Sequence, residues 1–252
     1  MLVLLLAAAL DGKIRRPRVG AEGAVWIHGW CHRIVRALGI ECSVEGELPV
    51  GGAVVSNHLS YLDILLYSSV RPFVMVAKRE VRGWPLLGWL TAQAGTVYVT
   101  RGGGPSTYPA VNAAMAEAYR SGLPVLFFPE GTTTDGSEVV PFRRGLFHSV
   151  LNKGVPLRVA ALRYSLGAGN GDASVEQDVC WWGDMLFGPH LFRCLGLRGL
   201  RVKICFGGEV AERADRFCLS EGARGVVAEM YEGLGREAEV ERQYEAELVE
   251  AV

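Results

Sequence analysis

From Gly39 onward the chain alternates short apolar runs with helix-length stretches, and no other feature constrains its fold as much. Residues 40–44 show period-two patterning, and residues 53–55, 73–76, 96–99, 125–128, 157–162 and 202–206 are further strand candidates. Residues 63–69, 110–120, 142–152, 184–194 and 222–247 read as helices. Strands separated by helices predict an α/β fold, with a mixed, largely parallel central sheet flanked by helices. The 252 residues suffice for one large domain with helical appendages, and no internal repeat or low-complexity linker splits them.

The front of the chain has a different character. Residues 1–10 are apolar throughout, but a ten-residue helix spans about 15 Å, half of a roughly 30 Å hydrocarbon core. Ala7-Ala8-Ala9 would suit a signal-peptide cleavage site, yet the basic n-region is missing and the charges follow the apolar run. A membrane-dipping anchor is the better reading. In residues 21–38, Ile27, Trp30, Ile34 and Leu38 recur at helical spacing, opposite His28, His32, Arg33 and Arg36. Such a helix either lies on a membrane, with Trp26 and Trp30 as interfacial aromatics, or packs on its own domain. His28 and His32 stand four apart without a third ligand, so no metal is expected.

Charge narrows the partners. A formal net charge of −1 gives no general attraction to nucleic acid. Between Lys13 and Arg36, the six cations Lys13, Arg15, Arg16, Arg18, Arg33 and Arg36 face the single acid Glu22, whereas residues 229–250 hold eight glutamates against Arg236 and Arg242. The six cysteines form no CxxC pair and read as reduced thiols of a cytosolic compartment.

Chemistry concentrates where the run 53–55 ends, in Ser56-Asn57-His58-Leu59-Ser60-Tyr61-Leu62-Asp63. A histidine at a strand-to-helix junction is exposed on a rigid backbone. A carboxylate one turn into the helix can bond one ring nitrogen, fix the tautomer and make a general base. Ser60 and Asp63 also fit a capping box, in which the acid serves only the helix start. The eight residues alone leave both readings open. A second constellation, Phe128-Pro129-Glu130-Gly131-Thr132-Thr133-Thr134, ends another apolar run in a hydroxyl-rich loop suited to a small polar head group or phosphate. Arg101 follows the run 96–99, and Arg143 and Arg144 stand at an expected helix start, where cations and backbone N–H groups favour anions.

In this order, Asn57-His58 with Asp63, residues 95–101, Phe128-Pro129-Glu130-Gly131-Thr132 and Val155-Pro156-Leu157 resemble the four blocks of the glycerolipid acyltransferases, the lysophosphatidic acid acyltransferase superfamily. Val76-Ala77-Lys78, Trp84-Pro85-Leu86-Leu87-Gly88, Trp182-Gly183-Asp184-Met185 and Pro189-His190 add to a likeness that covers residues 22–210. The resemblance implies acyl transfer from acyl-CoA or acyl carrier protein to the free hydroxyl of a lysolipid, most simply 1-acylglycerol 3-phosphate, at the cytoplasmic face of the inner membrane. It implies an N-terminal membrane-associating helical element in residues 1–39, an acyltransferase domain in 40–220, and leaves 221–252 as an acidic helix or tail. His58 is then the general base and Asp63 its partner, with Asn57, Arg101, Glu130, Gly131, Thr132, Arg143 and Arg144 on the substrate side and no cofactor. Two departures matter. Thr133 stands where the family's third block continues with arginine, and Gly131-Thr132-Thr133-Thr134-Asp135-Gly136 is similar to lyso-ornithine-lipid acyltransferases. Arg158-Val159-Ala160-Ala161 replaces a second proline in the fourth block. A hydrolase would also use a His-Asp pair, but no GxSxG nucleophile elbow is present. A silent membrane-binding module would have lost the histidine or the acid.

Overall fold

The computed structural model describes residues 1–100, 108–211 and 214–250. Among these residues seven strands form one sheet: β1 (Glu41–Gly46), β2 (Ala53–Ser56), β3 (Val74–Lys78), β4 (Val97–Val99), β5 (Val125–Phe127), β6 (Leu157–Leu166) and β7 (Leu200–Glu209). Their order is β1-β7-β6-β2-β5-β3-β4. Every neighbouring pair is parallel except β6 and β7, which run antiparallel. The mixed, largely parallel sheet expected from the alternation is therefore present, with all seven strand runs in place.

Eight α-helices accompany the sheet among the described residues: α1 (Leu2–Arg15), α2 (Ala21–Ala37), α3 (Leu62–Val70), α4 (Leu87–Gln93), α5 (Tyr108–Arg120), α6 (Phe147–Lys153), α7 (Phe187–Gly196) and α8 (Arg216–Glu250). The short α4 has no counterpart among the expected elements. The central strand β2 reads Ala-Val-Val-Ser with every residue buried, so both of its faces are covered, while neighbours β5 and β6 flank its edges. In β7 the inward Leu200, Val202, Ile204 and Phe206 alternate with more accessible residues, the period-two signature of a strand with one packed face.

At the chain ends one open reading is decided and one expectation changes. The α2 helix packs on its own domain: Cys31, Ile34 and Val35 are buried, and His28 Nδ1 lies 2.8 Å from the Ser68 carbonyl of α3. Its two indoles are not free interfacial groups either, since Trp26 and Trp30 donate to Asp11 of α1 at 2.9 and 3.0 Å. These bonds and Arg15 hold the Asp11 carboxyl down at about 2. At the other end, a boundary at residue 220 falls inside α8, whose Leu219, Ala223, Val227, Tyr231 and Leu234 recur at helical spacing and are buried in the core. Apolar periodicity, not the acidic count, decides where this helix docks.

Candidate active site

The site is built where β2 ends. Asn57 extends the sheet with its side chain: its Nδ2 donates to the Leu162 carbonyl and its Oδ1 accepts the Leu162 N–H, both at 2.9 Å. One amide thus imitates a strand residue toward β6 and fixes the direction in which the chain leaves the sheet. The next residue, His58, is clamped through its backbone to the loop after β5. Its N–H donates to Glu130 Oε2 at 2.5 Å, and its carbonyl accepts the Thr134 N–H at 3.0 Å. Leu59 is held the same way, its carbonyl accepting the Trp181 N–H at 2.8 Å.

Within this frame the His58 ring has two contacts that set its orientation. Nδ1 lies 2.8 Å from Asp63 Oδ2, and the ring stacks on Phe128 with centroids 4.0 Å apart and planes 10° from parallel. Asp63 has no solvent exposure. Its Oδ2 also accepts the N–H groups of Leu59 and Ser60 at 2.7 and 3.0 Å, and Oδ1 accepts the Tyr164 hydroxyl at 2.6 Å. A carboxylate surrounded by four donors can only accept, so Nδ1 carries the proton and Nε2 keeps its lone pair. Burial and the adjacent carboxylate push the Tyr164 phenol well above its usual range, so it stays a donor.

Asp63 serves both the helix start and the imidazole, with one correction to the capping-box reading. Asp63 does reach back to the Ser60 N–H, but Ser60 does not cap: α3 starts after Tyr61, and Ser60 Oγ is buried with no hydrogen-bond partner among the described residues. The acid alone ties the junction, through the same oxygen that holds the imidazole.

His58 opens onto a cavity of about 1200 Å³. Apolar residues such as Leu5, Ile34, Leu65, Trp84 and Phe187 line most of it, while Gly131, Thr132, Thr133 and Arg143 supply a polar sector beside the histidine. Gly131 has φ +70°, and a Cβ there would stand 2.6 Å from Arg143 Nε, so glycine is what lets the guanidinium lie against the loop.

The Acyltransferase family model matches residues 39–161, a span that contains β2, His58, Asp63 and the Glu130 loop. A 1-acyl-sn-glycerol-3-phosphate acyltransferase of Neisseria gonorrhoeae is 34% identical over 189 residues, covering 73% of this chain and 72% of that protein. The chain belongs to the glycerolipid acyltransferase superfamily. A lyso-ornithine lipid O-acyltransferase of Pseudomonas aeruginosa is 40% identical over 136 residues, 54% of this acyltransferase and 52% of that one. The crystal structure of the 1-acyl-sn-glycerophosphate acyltransferase PlsC from Thermotoga maritima superposes with a TM-score of 0.61 at 18% identity, over 84% of this chain and 81% of that one. That last likeness is one of fold.

In the acyltransferase, the described residues expected at the site, Asp63 apart, divide into three groups. His58, Gly131, Thr132 and Arg143 line the cavity. Asn57 and Glu130 do not; they are 1% and 2% exposed, and their polar atoms are engaged inward, Glu130 Oε1 accepting the Val140 N–H at 3.1 Å. Both hold the loops that carry His58, and neither lines the cavity. Burial raises the Glu130 carboxyl to about 8, partly offset by its two backbone donors. Arg144 turns the other way, toward Glu221 at 3.7 Å and the Phe217 ring at 4.5 Å on α8. Nor do Arg143 and Arg144 begin a helix, since α6 starts at Phe147 and they sit in the preceding loop. Arg101 lies outside the described residues. Phe128 and Tyr164 had no role in the sequence reading. The phenylalanine looked like the end of a strand, and Tyr164 is 101 residues from the acid it touches.

Proposed function

We propose that the acyltransferase moves a fatty acyl group from a thioester donor, acyl-CoA or acyl carrier protein, to the free hydroxyl of a lysolipid. The acceptor is 1-acylglycerol 3-phosphate and the product phosphatidic acid. The observation that carries this reading is the His58–Asp63 pair at the wall of a largely apolar cavity. Such a cavity favours an acyl chain by about 0.8 kcal/mol per buried CH₂, and Arg143 beside Gly131 offers the acceptor phosphate a guanidinium.

The chemistry follows from the tautomer. Nε2 of His58 takes the proton of the acceptor hydroxyl as its oxygen attacks the thioester carbonyl carbon. The new imidazolium is stabilised by the buried Asp63 carboxylate. The tetrahedral intermediate collapses with cleavage of the C–S bond, and the departing thiolate takes the proton back from His58. An ester and a free thiol result, and no protein nucleophile is consumed.

The reaction belongs at a membrane surface, the cytoplasmic face of the inner membrane. Val3, Leu6, Leu10 and Ile14 form an exposed apolar stripe along α1 at helical spacing, with Lys13 and Arg15 in the last turn. Among the described residues no helix is long and apolar enough to cross a membrane, so this stripe would lie on the bilayer. Leu5 and Leu6 of the same helix line the cavity, which gives a lipid acceptor a short path from bilayer to His58.

A second acceptor, lyso-ornithine lipid, is favoured by Thr133, which lines the cavity where the family's third block continues with arginine. Incubation with labelled acyl-CoA and a panel of lysolipids separates the two. Acylation of 1-acylglycerol 3-phosphate, lost in His58→Ala, supports the first reading; exclusive acylation of lyso-ornithine lipid replaces it with the second. Near-wild-type turnover by His58→Ala would sink the mechanism.

A further inference from the structure

The geometry points to Tyr164 as a positioning residue of this reaction, whose phenol fixes the Asp63 carboxylate that in turn orients His58. The inference rests on the general-base reading above and adds a member to it. Tyr164 lies on β6 and is 4% exposed, and its hydroxyl donates to Asp63 Oδ1 at 2.6 Å, within the short range of charge-assisted O–H···O⁻ bonds. The two carboxylate oxygens have different duties. Oδ2 accepts from His58 and from the N–H groups of Leu59 and Ser60, whereas the partner that the described residues give Oδ1 is the phenol.

Without that donor, half of a buried carboxylate faces no partner. It can then swing about its Cβ–Cγ bond away from the imidazole, or take up a proton more readily. Tyr164 also explains how a residue distant in sequence comes to act here. Leu162, two positions earlier on β6, is the residue that Asn57 grips with its amide. One strand therefore holds both ends of the segment from Asn57 to Asp63.

The titratable groups that face this pair are His58, Glu130, Tyr67, Tyr231, Cys180 and Cys194. Burial pushes the two thiols and both further phenols up, leaving Glu130, raised to about 8, as the neighbour that titrates closest to neutrality. The acid limb of the pH profile is compared between variant and wild type, in which Glu130 is the same.

The test uses the full chain with acyl-CoA and the lysolipid acceptor, comparing Tyr164→Phe with the wild type across pH. We expect kcat to fall about tenfold, as for loss of a hydrogen bond to a buried charge, with KM within about twofold. The acid limb should also move to higher pH. Loss of the donor favours a protonated Asp63, and a carboxylate no longer shared with the phenol holds the proton on His58 more firmly. Both effects act in that direction. An unmoved acid limb, a loss uniform across pH, or a rise in KM at constant kcat would overturn the inference, because a merely structural tyrosine gives those results. Should the phenylalanine variant fail to fold, Tyr164→difluorotyrosine, a stronger donor, must move the limb to lower pH; no movement overturns the inference equally. An inactive His58→Ala alongside an unshifted Tyr164→Phe removes only the tyrosine's role. An active His58→Ala removes the general-base reading and this inference with it.

Discussion

Asp63→Asn isolates the charge of the acid from its geometry. Three N–H donors converge on Oδ2, at 2.7 Å from Leu59, 2.8 Å from His58 and 3.0 Å from Ser60. An asparagine must therefore place its amide oxygen there, because an NH₂ group would meet three donors head-on. Its NH₂ then faces Tyr164, whose hydroxyl can turn to accept. The junction, the imidazole tautomer and the fold are preserved, and what disappears is the negative charge facing the imidazolium of the transition state. Two unit charges about 4 Å apart attract by about 4 kcal/mol at an effective dielectric near 20. That is a ceiling of about three decades in rate. We expect kcat to fall about 10²–10³-fold with little change in KM for the lysolipid. The assay is steady-state transfer of labelled acyl groups, with thermal melting to verify the fold. A folded variant within tenfold of wild type would refute the claim that Asp63 acts through its charge.

Further expectations concern the frame around the base. Glu130 has a carboxyl raised from 4.5 to about 8, so the folded protein retains a proton that the unfolded chain releases. Its contribution to stability is full below 4.5 and is lost as pH rises through about 8. Denaturation midpoints followed across that window should decline in the wild type and lose this component in Glu130→Gln; parallel profiles would contradict the assignment. Asn57→Ala leaves the buried N–H and carbonyl of Leu162 unpaired and should cost about 2–5 kcal/mol in urea unfolding; a cost below about 1 kcal/mol would show that another group takes over the pairing. On α1, Leu10→Asp with Ile14→Asp removes two side chains that are 62% and 72% exposed. Sedimentation with anionic vesicles should weaken by at least about tenfold, from the burial each side chain offers, while the melting temperature holds. Unchanged vesicle binding would dismiss the membrane role of α1.

Local information made much of this protein legible. Short apolar runs alternating with amphipathic stretches placed all seven strands: β2 and β5, buried on both faces, read as continuous apolar text, whereas β1 and β7 read through period-two alternation. The segment from Asn57 to Asp63 was equally readable, since a histidine and an acid five residues apart across one strand-to-helix junction are brought together by local geometry alone. Phe128 through Thr132 marked the second loop because glycine and hydroxyls follow a buried strand. The short α4 was not legible, as seven residues carry too little periodicity to stand out from their surroundings.

Only tertiary structure assigned the duties. Composition made Trp26 and Trp30 look like membrane anchors, yet Asp11 on the preceding helix claims both indoles. Charge made Arg143 and Arg144 look alike, yet the loop before α6 sends one to the cavity and the other to α8. Polarity made Asn57 and Glu130 look like substrate contacts, yet each satisfies backbone groups that burial would otherwise leave unpaired. Tyr164 had no signal at all, because its partner lies across the sheet and only strand pairing brings β6 beside β2. The sequence determined which histidine and which acid meet at the end of β2. The sheet decided what holds them, since a buried polar atom finds its partner through packing and not through proximity along the chain.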